Sequence, residues 1–199
     1  MDILTKHVQY EEIIKGSRFL SELIPCDTQA GARELLKAQK AKYSDATHVV
    51  HAFVVGPGAE VMGMSDDGEP SGTAGRPVLD VLKGRKCTNT VLTVTRWFGG
   101  TLLGTGGLVK AYSGGAKGVI EAADAEGAFE ELIAKLPFSF ETDYSLYKLI
   151  KINLEQFHIY DLQEDFGVNI TLNGQIRENE KDTLISKLLD ISNGKVVVK

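Results

Sequence analysis

Cysteine is scarce: Cys26 and Cys87 stand alone without CxxC spacing, which argues against a disulfide-built scaffold and a cysteine-ligated zinc. No apolar run approaches the ~20 residues of a membrane helix. The opening residues MDILTKHVQYEE lack the basic start and apolar core of a signal peptide. These absences predict a cytoplasmic protein with no membrane association. No repeat and no low-complexity tract occurs. GxSxG, HExxH and a local Ser-His-Asp order are also missing, which argues against the common hydrolase classes.

What is present is an ordinary globular composition, 43% hydrophobic and 25% charged over 199 residues, enough for one large domain or two small ones. The net charge of −5 argues against indiscriminate nucleic-acid binding. Charge is distributed unevenly, however. Between Ser71 and Ile120 lie Arg76, Lys83, Arg85, Lys86, Arg96, Lys110 and Lys117 against Asp80 alone, a local +6. Exposed charges act mainly within a Debye length of ~8 Å, so a basic face can coexist with an acidic total.

Periodicity divides the chain at residues 1–135 and 136–199, with Leu136-Pro137 as the boundary. In the first part, residues 10–26 read as a hairpin turning near Gly16-Ser17. Residues 28–43 read as a helix capped by Asp27 or Thr28, with a basic later half suited to the helix dipole. Residues 47–55 and 89–98 read as strands. Residues 77–86 form a short helix with proline in its first turn, and 106–123 a long helix. Residues 127–136 extend that helix or form another. The second part reads as strand 138–145, helix 146–158, strands 160–166 and 168–177, helix 178–192 and strand 195–199. That order is β-α-β-β-α-β, the ferredoxin-like pattern.

Four constellations bear chemistry. Asp66, Asp67 and Glu69 precede Pro70-Ser71-Gly72-Thr73. Carboxylates beside hydroxyls suit Mg²⁺ or acid-base work, although the same residues build plain solvated turns. His48 and His51 stand at i, i+3 on a strand and so face opposite sides, which predicts no shared metal; His48 remains a catalytic candidate. Gly104, Thr105, Gly106 and Gly107 open a helix and suit a phosphate, but the spacing matches neither GxGxxG nor a P-loop. Gly107, Ala111, Gly114 and Gly118 form a small-residue stripe that equally serves close packing on a sheet. Arg96-Trp97-Phe98 at a strand end offers a guanidinium fork and stacking rings. Its structural alternative is Arg96 fixing Asp66 or Asp67 while an aromatic packs.

Two longer stretches carry a resemblance. Residues 65–75 (SDDGEPSGTAG) and 94–112 (VTRWFGGTLLGTGGLVKAY) resemble the two signatures of the IMPACT/YigZ family. Residues 10–19 (YEEIIKGSRF) and 46–53 (ATHVVHAF) support it. The resemblance implies an α+β protein. Its first domain is expected to be ribosomal-protein-S-five domain-two-like, and its second ferredoxin-like, similar to the last domain of elongation factor G. It also implies a link to translation and the stress response.

Together these readings predict a non-enzymatic regulatory protein with no obligate cofactor and no bound metal. It would bind RNA, the ribosome or a translation-associated protein through Arg76, Lys83, Arg85, Lys86, Arg96 and Lys110, with Trp97 or Phe98 stacking. The alternatives are a small metal- or anion-binding hydrolase using the loops 66–73 and 96–107, and a protein-protein adaptor. The hydrolase reading requires the two loops to meet in one cleft.

Overall fold

The computed structural model describes all residues, Met1–Lys199, and the chain is α+β. It divides into two compact units, Met1–Leu132 and Ile133–Lys199. The first contains β1 (Asp2–Leu4), β2 (Val8–Ile14), β3 (Ser17–Pro25), α1 (Gln29–Lys42), β4 (His48–Val55), β5 (Val61–Ser65), α2 (Gly75–Arg85), β6 (Cys87–Thr88), β7 (Thr90–Trp97), α3 (Thr105–Ala125) and β8 (Phe129–Glu131). The second contains β9 (Lys135–Thr142), α4 (Tyr144–Leu154), β10 (Ile159–Phe166), β11 (Ile170–Arg177) and α5 (Lys181–Ile191), the last preceded by a short 3₁₀ turn.

In the first unit β2-β3-β7-β4-β5 form an antiparallel sheet. Strand alternation gives it two faces. Phe19, Leu23, Leu92, Val94, Val50 and Ala52 project to one face and pack with Val78 and Leu82 of α2 and Ala111, Tyr112, Ala116 and Val119 of α3. Val91, Phe53 and Val55 project to the other and meet Ala32 and Leu36 of α1. The Thr28 hydroxyl accepts the Gly31 N–H at 3.1 Å and starts α1, while Lys40 and Lys42 lie at its C-terminal end. Lys15 and Gly16, with φ of 47° and 82°, make the β2–β3 turn in the left-handed region that a tight hairpin requires.

Small residues bring α3 against the sheet. A Cβ on Gly115 would sit 2.6 Å from Ser21 Oγ, and one on Gly118 2.5 Å from the Tyr10 ring. The packing stripe is therefore Ala111, Gly115 and Gly118. The expected stripe placed Gly107 and Gly114 in it, but a Cβ on Gly107 would meet Leu103, in the loop before its own helix, and one on Gly114 would make only an ordinary 3.7 Å contact with Glu12 Oε1.

Residues 127–136 are not helical. Gly127, at φ 59°, follows the end of α3, and β8 then pairs with β1, which also pairs with β6, in a small separate sheet. Leu136 and Pro137 lie inside β9, pairing with Ile176 and Gln175, so the expected boundary dipeptide is strand. In the second unit the sheet order is β10-β11-β9. Phe138, Phe140, Ile170, Leu172 and Ile176 pack on Ile150 and Leu154 of α4 and Leu184 and Leu188 of α5. Residues 195–199 form no regular strand. Lys199 exchanges both backbone hydrogen bonds with Ser139 of β9, at 2.8 and 3.3 Å, so one pair replaces the expected strand. No helix of the protein is long and apolar enough to cross a membrane.

Candidate functional site

The two Gly-rich loops meet at one end of the five-stranded sheet. His48 and Arg96 are paired across β4 and β7 on the α2/α3 face. Glu69 reaches them from the loop after β5. Its Oε1 accepts from Arg96 Nη1 at 2.6 Å and from the Tyr112 hydroxyl at 2.7 Å, with His48 Nε2 3.8 Å away. Glu69, Arg96 and Tyr112 are 8%, 5% and 0% exposed. Burial, and then the bond to Glu69, hold the Tyr112 hydroxyl far above its ordinary pKa, so it stays a donor. Sequence reasoning had offered Asp66 or Asp67 as the partner of Arg96; it is Glu69. Tyr112 was missed as a site residue, although it closes the second signature.

Asp66 and Asp67 build the loop. Asp66 accepts N–H groups of Gly72, Ala74 and Gly75 at 2.9, 3.1 and 2.8 Å and so caps the start of α2. Burial raises its pKa, but these three donors outweigh that and hold it below the usual carboxylate range. Asp67 accepts the Val49 N–H at 2.6 Å and pairs with Lys40. Burial again pushes up, while Lys40 and Val49 bring the pKa below its ordinary value. The carbonyl of Asp67 lies 2.8 Å from His48 Nδ1. Both aspartates thus have fixed structural partners, and no cluster of His, Cys, Asp and Glu has metal-site geometry.

A cavity of about 410 Å³ opens above Glu69, Arg96 and His48. Its walls are Pro70, Phe98, Leu102, Leu103 and Leu108, and its rim includes Gly104 and Thr105. Gly16 and Gly99 seat the second loop against the β2–β3 turn: a Cβ on Gly99 would lie 1.9 Å from the Gly16 carbonyl. The Ser17 hydroxyl accepts the Gly99 N–H at 3.1 Å. Phe98, expected as a stacking ring, lines this cavity; Leu102, Leu103 and Leu108 escaped notice because a lone apolar side chain carries no local functional signal.

The other expected contacts disperse. Trp97 projects to the opposite face from Arg96; its Nε1 donates to Asp45 at 2.9 Å, and its ring lies 4.3 Å beneath the Arg18 guanidinium. Arg76 pairs with Asp80, and Arg85 with Asp2 and Asp124. With Arg96 buried against Glu69, three of the seven cations are neutralised, leaving Lys83, Lys86, Lys110 and Lys117 without an ion pair. Gly107 and Lys110 line a separate concavity beside Ile14 and Lys15. Between α2 and α3 runs a groove of about 730 Å³ lined by Arg76, Pro77, Val81, Val109, Lys117 and Ile120, with Asp80 and Glu121 beside them.

The sequence matches two known domain families. Residues 15–120 match the Impact N-terminal domain, and residues 140–195 match a Domain of unknown function (DUF1949). The chain is similar to IMPACT family member YvyE of Bacillus subtilis, 32% identical over 96% of this chain and 86% of that protein. It is 34% identical to an IMPACT family member of Haemophilus influenzae, over 96% of this chain and 92% of that one. A crystal structure described as a hypothetical protein is 30% identical, covers 99% of this chain and 95% of its own, and superposes with a TM-score of 0.66. The chain belongs to the IMPACT family.

Proposed function

We propose that this protein is a non-enzymatic regulator linked to translation that acts by holding a protein partner in the groove between α2 and α3. The observation that carries this reading is the groove's mixed lining. Val81, Val109 and Ile120 supply apolar wall, Lys117 supplies an unpaired cation, and the Arg76–Asp80 pair and Glu121 stand beside it. A phosphate backbone would meet those two acids. An amphipathic helix with an apolar face and acidic flanks meets complementary chemistry along the groove. The link to translation rests on the family resemblance. The first unit is read as ribosomal-protein-S-five domain-two-like. The second is read as ferredoxin-like, akin to the last domain of elongation factor G, a reading supported by the order β10-β11-β9 and the Ser139–Lys199 pairing.

The hydrolase reading gains one supporting observation, since the two loops do meet. Asp66, Asp67 and Oε1 of Glu69 are already engaged, which leaves that reading with His48 Nε2 and Oε2 of Glu69 as its acid-base candidates. A photo-crosslinker at Val109, used in living cells, tests the proposal. A protein adduct belonging to the translation apparatus, retained after nuclease and lost with Lys117→Glu, is expected. An adduct that disappears with nuclease would instead identify RNA as the occupant. A protein adduct unrelated to translation would remove that link.

A further inference from the structure

The cavity above Glu69 lies apart from the groove between α2 and α3, and its chemistry is different. We infer that it binds a small α-amino carboxylate with an apolar side chain. Three independent features converge there.

The first is a donor cluster. α3 is 21 residues long and starts at Thr105 with Gly104 as its cap residue, at φ 72°, and no side chain caps it. The leading N–H groups of a helix have no intrahelical partner and favour an anion. A Cβ built on Gly104 or Gly106 would meet nothing within 4 Å, so the backbone there is open to a ligand.

The second is an unpartnered acceptor. Glu69 is 8% exposed and lines the cavity. Its Oε1 takes both Arg96 and Tyr112, whereas Oε2 accepts no hydrogen bond and is not sealed from solvent. A carboxylate oxygen that opens on a cavity is held by water and is a place where a ligand's donor can replace that water. A plain carboxylate or phosphate at the α3 start would bring negative charge toward it. A ligand whose carboxylate is one carbon away from an N–H satisfies both, with the carboxylate on the helix start and the nitrogen on Glu69.

The third is the wall. Pro70, Phe98, Leu102, Leu103 and Leu108 make it mainly apolar, and Phe98 and Leu102 are 46% and 83% exposed. Its volume of about 410 Å³ is near the small end of ligand sites, which fits an aliphatic or aromatic side chain better than a sugar phosphate.

A free amino acid and the C-terminal residue of a peptide share this chemistry, and one titration separates them. The full-length, nitrogen-labelled protein is titrated with L-leucine, N-acetyl-L-leucine, L-leucinamide, isocaproate and isoamyl phosphate, following the amide signals of Thr105, Gly106 and Gly107. L-leucine or its acetyl form is expected to shift them saturably. Leucinamide, isocaproate and isoamyl phosphate each lack one half of the head group and should bind about tenfold more weakly or worse. Tighter binding of L-leucine identifies a free amino acid, and tighter binding of the acetyl form a chain terminus; either supports the pocket. Leucinamide, isocaproate or isoamyl phosphate binding as well as the better of these two overturns the inference, as does no response from any probe. Leu102→Ala, at an exposed position, should weaken the preferred probe about threefold or more without altering the fold. An unchanged affinity in that variant contradicts the assignment.

Discussion

Two buried glutamates mark the two faces of the five-stranded sheet, and they are held differently. Glu69, on the α2/α3 face, meets a guanidinium that is itself buried and a fully buried phenol. Glu22, on the α1 face, is 0% exposed, yet its Oε1 is served by His7, Gln9 and Lys42, whose His7 and Lys42 side chains are 42% and 51% exposed. Its Oε2 has no protein partner. Across the strands Glu22 aligns with Thr93, His51 and Ser65, and Thr93 Oγ1, His51 Nδ1 and Gln39 Oε1 also lack protein partners. Burial of the carboxylate is similar on both faces. The difference is where the counter-charge sits. On the α2/α3 face it is locked in low dielectric and organises two loops; on the α1 face it is at the rim, open to screening.

Substitution should expose that asymmetry. Arg96→Met leaves Glu69 buried with Tyr112 as its one remaining close donor and is expected to cost about 3–5 kcal/mol in urea unfolding. A loss below about 1 kcal/mol would mean that the pair is as replaceable as a surface one. On the same face, Gly118→Ala places a methyl against the Tyr10 ring. Overpacking of about 1–3 kcal/mol should outweigh the helix-propensity gain of about 1 kcal/mol. Net stabilisation would show that α3 has slack against β2.

On the α1 face, Lys42→Met removes a rim cation from Glu22 and should cost about 1 kcal/mol or less, with much of the effect gone in concentrated salt. A salt-independent loss equal to that of Arg96→Met would erase the contrast. The smallest effect concerns pH. Burial, and then the nearby Lys40 charge, lower the His51 pKa below its ordinary 6.5. Folding therefore favours the neutral ring, and its contribution is fully present above that value and declines as pH falls toward the lowered folded pKa. The decline has a limit of about 1.4 kcal/mol per pH unit. His51→Gln should flatten the urea-midpoint profile between pH 7 and 5, and an unchanged slope would assign the acid sensitivity elsewhere.

Local chemistry made much of the fold legible. Thr28 capping α1, the Lys15-Gly16 turn and the β-branched, apolar run of β7 are signals that act within a few residues of one another. The short strands β1, β6 and β8 carry no such signal, because three- and two-residue segments owe their state to their partners. β5 was hidden by Gly63, whose missing side chain makes room for the Phe53 ring across the ladder; a Cβ there would lie 2.3 Å from it. The site was half legible. The motifs announced the two loops, but Glu69 lies 27 residues from Arg96 and 43 from Tyr112, so their union depends on strand order. The charge count misled for the same reason: a sum over sequence cannot tell an exposed lysine from an arginine turned inward.

The central claim is that the glutamate of the first signature and the arginine of the second are partners of each other, forming the floor of one cavity. A double-mutant cycle with Glu69→Leu, Arg96→Met and the double variant, read by urea unfolding, tests it most directly. The account predicts that the double variant is more stable than the sum of the singles by about 2–4 kcal/mol, because removing both charges spares either one from being buried alone. Additivity within about 0.5 kcal/mol would show two independent residues and contradict the account.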